Sequence, residues 1–407
     1  MRKRLFIKII AFILINTFLL LDISWATGGE ILSFESSDCL SPALQINSNL
    51  LTTSFSKLYH HELFPGVEFS PLFERLKKIE LAIFDLDETL AISARYLSNP
   101  AMEGLKFLLK NKVHTAIITG AGIRAAEARV LNKLKKTLKA EGASWALDYL
   151  HIFTCLGNEG FKFKQDGERK QRFKFDLNKD LIDKVREIID ENGDSENIDY
   201  SVFGKKGSTG ETLVVRVVFD QTQKNKIQKM HKVAEKIRKE FRRQNINLNI
   251  LESASRAIEI TVNGKEYAVG FLMDELSIDA ERILIVGDSF GPIGADRSMR
   301  FERTLNSLFF NVGPEIKEAE LNAGIFTTSF KGPDAAEGIL ELLRQAKDDV
   351  NAKQSLKNKA DQENDNVRAL KVMGQKRDAI TQLLGNLDVS RLKQDILVQL
   401  ELVGQAI

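Results

Sequence analysis

Short, mostly apolar runs recur along this chain, each followed by a small or acidic residue. Leu81 to Phe84, the run VHTAIITG, residues 150–156, Ile283 to Val286, LFFNVG at 308–313 and IFTTS at 325–329 lack the polar alternation of a half-exposed strand. They read as strands buried on both faces of a parallel sheet. Between them lie segments of helical periodicity: Leu72 to Ile79, AMEGLKFLLKNK, residues 122–141, GKEYAVGFLMDEL and residues 334–346. The alternation predicts an α/β fold with a Rossmannoid parallel-sheet core, whose right-handed crossovers bring the C-terminal strand ends to one edge.

After Gly160 the pattern changes. Phe161 to Phe175 reads as a hairpin with a Lys-Gln-Asp-Gly turn, followed by helix 179–191, strands 199–205 and 211–219, helix 223–243, and strands 246–252 and 257–262. The order αββαββ predicts an inserted α+β domain with an antiparallel sheet over 162–262, between core segments 80–161 and 263–345.

The flanks differ in kind. Residues 1–26 begin with Arg2, Lys3 and Arg4, continue through an apolar run broken by Lys8, and end with Ser24 and Ala26 around Trp25. That is the layout of a signal peptide or, uncleaved, of an N-terminal anchor. Either predicts export, with membrane contact only through this segment. Residues 27–79 read as a Ser- and Asn-rich linker or arm ending in helix 72–79, and residues 346–407 as a charged linker, or a solvated helix to about Arg368, with C-terminal helices, the last from near Asp388. Cys39 and Cys155 can pair in an exported protein, although no spacing pattern asks for it.

Composition narrows the function. The 407 residues, 43% of them hydrophobic, suffice for more than one folded unit. A net charge of +2, with no helix-turn-helix, zinc-finger or RNA-binding pattern, predicts no nucleic-acid partner. Two Cys and five His without CxxC or HExxH argue against a soft-ligand zinc site, so any metal is expected to be hard and oxygen-bound.

Candidate chemistry clusters where the strands end. Asp85 and Asp87 follow the first apolar run, and two acids at that spacing can act as nucleophile and proton donor where the strand breaks into a loop. Thr119 and Gly120 end the second run, where the Thr119 hydroxyl can bind a phosphate oxygen. Asp288 follows Ile283 to Val286, with Asp296 eight residues on, two carboxylates able to form a Mg²⁺ corner. In the inserted domain Lys205, Lys206 and Arg216 sit on or beside glycine-rich hairpin loops able to reach across a cleft. The other Lys and Arg of 179–243 read as solvated helix faces.

Taken together, FDLDETL, IITG, Lys265 and GDSFGPIGAD resemble the four motifs of the haloacid dehalogenase superfamily. Within it the chain looks like the members with an αββαββ (type IIB) cap, the sugar phosphatases and phosphomannomutases; the likeness covers residues 80–345. It implies a Mg²⁺-dependent phosphatase acting on a small phosphorylated metabolite. Asp85 would form an aspartyl phosphate, Asp87 would serve as acid and base, Thr119 would hold a phosphoryl oxygen, and Lys265 would add a cation. Asp85, Asp288 and a backbone carbonyl at Asp87 would hold the metal, with Asp296 as a fourth ligand. The wide spacing of Asp288 and Asp296 is like that of phosphomannomutases, which keeps a phosphosugar mutase as the alternative. TGAGIR in place of TGR leaves Arg124 without a phosphate role. A non-catalytic binding protein on the same fold is the alternative of another class.

Overall fold

The apolar runs form strands because each can bury both of its faces. A computed structural model describes residues 62–194, 199–220, 225–253, 257–291, 294–316 and 324–385. The leader 1–26, Cys39 and the helix expected near Asp388 lie outside them. The strands are β1 (Leu81–Asp85), β2 (His114–Ile118), β3 (Leu150–Thr154), β4 (Glu159–Phe163), β5 (Arg169–Lys174), β6 (Tyr200–Lys206), β7 (Thr212–Phe219), β8 (Asn249–Ser253), β9 (Ala257–Thr261), β10 (Ile283–Gly287), β11 (Leu308–Asn311) and β12 (Ile325–Thr327). They make two sheets among the described residues, ordered β12-β11-β10-β1-β2-β3-β4-β5 and β6-β7-β9-β8.

The larger sheet is parallel from β12 to β3. On one face Phe84, Ile117, Val286 and Phe310 pack with residues of helices Asn99–Lys110 and Pro333–Gly385, among them Leu105 and Leu340. On the other, Ile83, Ile118, Ile285 and Phe309 pack with Val269 and Leu272 of helix Lys265–Leu276. Each such side chain contributes about 1.5–3 kcal/mol by leaving water, so both faces fix the register that puts the acids at one edge.

The hairpin β4–β5 belongs to this sheet, not to the cap: β4 pairs antiparallel with β3, and β5 with β4. The expected cap boundary at 162 therefore moves to helix Lys179–Asp194. The cap runs from there to β9, an antiparallel sheet with helices Lys179–Asp194 and Lys226–Arg243 packed on one face around Val215, Val217, Ile258 and Ile260. Two further boundaries shift. Leu63 and Phe64 are already buried in the core, so the arm ends before them. Pro333–Gly385 is one continuous helix, so of the solvated helix or flexible linker that the stretch after 345 reads as, the helix forms, its exposed stretch supported by pairs such as Lys353–Asp349.

Candidate active site

Pairing of β1 with β2 and β10 sets three strand ends level, since Asp85 faces Ile118 and Phe84 faces Val286. Asp85 closes β1, Thr119 follows β2 and Asp288 follows β10. Beyond Asp85 the chain leaves the sheet at once. Ala91 N–H donates to Leu86 O (2.9 Å), Glu88 N–H to Ala91 O (2.8 Å), and Glu88 adopts φ 58°. Asp87 is thereby freed from the strand's alternation, as its expected role requires.

Asp85 is buried, and its Oδ1 accepts from Lys265 Nζ at 2.6 Å. The same ammonium donates to Asp296 Oδ1 at 2.6 Å, while Asp296 Oδ2 accepts from Ser289 N–H at 3.0 Å. Lys265 stands in the first turn of its helix, directly after the chain returns from the cap. Gly287 is required beside this acid, because a Cβ there would lie 2.4 Å from Asp296 Oδ2. Carboxylate oxygens of Asp85, Asp288 and Asp296 all lie within 4.8 Å of one another.

Charge is unbalanced in this corner. Burial, with Asp296 and Asp87 adding to it and Lys265 opposing, pushes the Asp85 carboxyl up to about 7. Burial and then the charges of Asp296 and Asp85 push Asp288 up to about 8. Lys265 is held above its ordinary value: burial acts to lower it, and Asp296 and Asp85 together outweigh that. The group of acids thus has room for more positive charge than Lys265 supplies.

Asp87 lies to the side of this group. Its Oδ2 accepts from Thr119 Oγ1 (3.3 Å), whose own oxygen accepts from Ala121 N–H (3.0 Å). Its Oδ1 faces Arg129 Nη1 at 2.8 Å. Thr119 is fully buried, and Asp87 is about one third exposed toward the cleft.

The cap faces these residues across a cleft of about 770 Å³ lined by Asp85, Asp87, Gly120, Lys265, Asp288 and Asp296 from the core. From the cap come Phe203, Lys205, Arg216 and Glu259. Register explains the set: Phe203 pairs with Arg216 and Arg216 with Glu259, so three adjacent strands present one row on one face. Lys205 spans to the core, donating to Gly120 O (2.9 Å) and pairing with the buried carboxylate of Glu259, which also faces Arg216 Nε at 3.4 Å. Lys206 does not join them. A bulge separates it from Lys205, and its ammonium donates to Thr212 Oγ1 (2.8 Å) within the hairpin.

Sequence reasoning missed Glu259, Phe203 and Arg129. An acid in the middle of the apolar strand AIEIT was a usable signal for Glu259, since a buried carboxylate needs a partner. Cys155 is buried, and burial foremost pushes its thiol up to about 12. It begins the left-handed turn Cys155–Gly157 that puts Leu156 against the cleft.

Residues 224–345 match the sequence profile of the sucrose-6F-phosphate phosphohydrolase family, a stretch holding Glu259, Lys265, Asp288 and Asp296. No curated protein shows significant sequence similarity to the chain. Among solved structures, an IMP-bound mutant of Plasmodium falciparum IMP-nucleotidase superposes with TM-score 0.51 at 15% identity, over 68% of this chain and 69% of that one. The N-terminally truncated, IMP-bound form gives 0.51 at 15% identity, over 72% and 79%. A haloacid dehalogenase-like hydrolase from Bacteroides thetaiotaomicron gives 0.44 at 14%, over 66% and 99%. At 15% identity the likeness to the nucleotidase is one of fold.

Proposed function

We propose that this chain, a haloacid dehalogenase-like hydrolase by fold and motif order, is a Mg²⁺-dependent phosphatase of small phosphate monoesters, with sugar phosphates as the substrate class. The observation that carries the reading is the meeting of Asp85, Asp288 and Asp296 within 4.8 Å, with the Lys265 ammonium between two of them. All their donors are hard oxygens, and the raised Asp85 and Asp288 carboxyls fit a site made for a further cation, so these residues suit Mg²⁺. Bound there, with the backbone carbonyl of Asp87 as a further ligand, Mg²⁺ supplies charge neutralisation of the phosphate dianion.

The chain's own residues do the rest. Lys265 holds Asp85 Oδ1, which leaves Oδ2 to attack phosphorus, and the ammonium offsets charge on the acid and the ester together. Thr119, whose hydroxyl donates to Asp87 Oδ2, would turn it to a phosphoryl oxygen of the bound ester. Asp87 gives a proton to the leaving oxygen and later takes one from the water that splits the aspartyl phosphate. In the cap, Phe203 offers an apolar face and Glu259 and Arg216 offer an acceptor and a donor side by side, which suits a ring bearing hydroxyls. The sucrose-6F-phosphate phosphohydrolase profile supports the same class.

A mutase needs a second phosphate subsite, and the Glu259 carboxylate already engages Lys205 and Arg216 there. Export by residues 1–26 belongs to the same proposal, on the strength of their basic start and apolar run. The test is release of phosphate from a panel of hexose phosphates, nucleoside monophosphates including IMP, and hexose bisphosphates, with and without Mg²⁺. Mg²⁺-dependent release favouring hexose monophosphates is expected. Preference for nucleotides would move the substrate class, and interconversion without release would restore the mutase.

A further inference from the structure

Arg129 is a buried charge, 7% exposed, that the motif set does not account for. The helix it stands in runs as Ile123–Ala126 and Asn132–Ala140, joined by a π turn at Glu127–Leu131. A π turn costs regular hydrogen bonds and persists where it re-aims a side chain. Here the aimed side chain is Arg129, flanked by the buried Val130 and Leu131.

Its guanidinium reaches one loop in several places. Nε donates to Arg95 O at 2.7 Å, Nη2 reaches Ile92 O at 3.5 Å, and Nη1 faces Asp87 Oδ1 at 2.8 Å. That loop holds two non-glycine residues in the left-handed region, Glu88 at φ 58° and Ala94 at φ 60°. Such residues persist when the surroundings over-determine them. Thr119 donates to the other Asp87 oxygen, and the Arg129 contact is the one that remains once that hydroxyl turns to a phosphoryl oxygen. Arg129 does not line the cleft, and reaches the chemistry only through Asp87.

We propose that Arg129 is the positioning residue of Asp87. It fixes the carboxyl where the leaving oxygen departs, and its fork to the Ile92 and Arg95 carbonyls holds the loop that carries it. This rests on the phosphatase reading, in which Asp87 is the proton donor.

The test uses kcat/KM, which reports phosphoryl transfer to the enzyme and excludes the later hydrolysis common to all esters. An alkyl phosphate, whose leaving oxygen needs a proton, is compared with an aryl phosphate, whose leaving oxygen needs little. Misplacing a catalytic group by about 1 Å costs about a hundredfold, so Arg129→Met should lose about that on the alkyl ester and about tenfold less on the aryl ester. In the Asp87→Asn background the same change should move the alkyl-to-aryl ratio by less than about twofold, because the group it positions is gone. Arg129→Lys keeps the charge and serves where Arg129→Met does not fold. Its ammonium cannot fork between Asp87 and the carbonyls, so a smaller loss with the same alkyl bias is expected. Equal losses on both esters, or a ratio shift that persists without Asp87, would overturn the role while leaving the phosphatase intact. A folded wild-type protein inactive on both esters would overturn the phosphatase reading and the role together.

Discussion

Replacing Asp288 by Asn should stabilise the metal-free protein while abolishing its response to Mg²⁺. The folded structure lifts the Asp288 carboxyl from 3.8 to about 8, so the folded chain binds the proton more tightly than the unfolded chain. A raised folded pKa gives stability at low pH that is lost as pH rises toward the folded value. At about 1.4 kcal/mol per tenfold, ionisation across a window from about pH 5 to pH 8 removes about 3–4 kcal/mol. Asp85 rises in the same field, so removing one acid relieves the other, and small shifts of the neighbours lessen the crowding. The expected gain for Asp288→Asn near pH 8 is therefore about 2 kcal/mol, shrinking to a few tenths near pH 5. Urea unfolding of both proteins with EDTA or with Mg²⁺ measures it. Mg²⁺ should raise the midpoint of the wild type and leave that of Asp288→Asn nearly unchanged. A variant less stable than wild type at both pH values, or equal stabilisation of both by Mg²⁺, would refute the reasoning.

Asp87→Asn should lower kcat/KM on alkyl phosphates by about a hundred- to ten-thousandfold and on aryl phosphates far less, read from initial rates on matched esters. Lys205→Ala should raise KM for the best sugar phosphate by about tenfold and cost about 1–3 kcal/mol in unfolding experiments, since it leaves the buried Glu259 with one cation fewer. His114 is lowered to about 4, by burial first and Lys162 second, so the folded state resists protonation and stability should fall as pH drops from 6.5 toward 4. Its partial exposure limits this to about 1–2 kcal/mol, checked by comparing the pH slopes of wild type and His114→Gln.

The core and the acids at its strand ends were legible because their causes are local. An unbroken apolar run followed by an acid already states a buried strand and what stands at its end, which is how Asp85, Thr119 and Asp288 could be set at one edge. The partner of a strand is not written in its own residues. The hairpin from Phe161 to Phe175 breaks the strand–helix alternation and so reads as the start of the inserted domain, whereas it extends the core sheet, with the exposed Arg169 and Lys170 guarding its edge strand. Lys206 shares with Lys205 its place beside a glycine-rich hairpin loop, and a bulge that the residues do not announce turns it to Thr212 instead of the cleft. Arg129 lies in a helix among ordinary charges, and only the π turn distinguishes it. The polar stretch after residue 346 lacks an apolar face, so its residues leave a solvated helix and a linker open, and it is the charge spacing that carries the helix on.

The central claim is that Asp85 accepts the phosphoryl group. Rapid acid quench of the enzyme during turnover with Mg²⁺ and an aryl phosphate, followed by peptide mass spectrometry, tests it directly. One added phosphoryl group on Asp85 is expected, absent in Asp85→Asn. Turnover with no adduct on Asp85, or with the adduct on another residue, would contradict it.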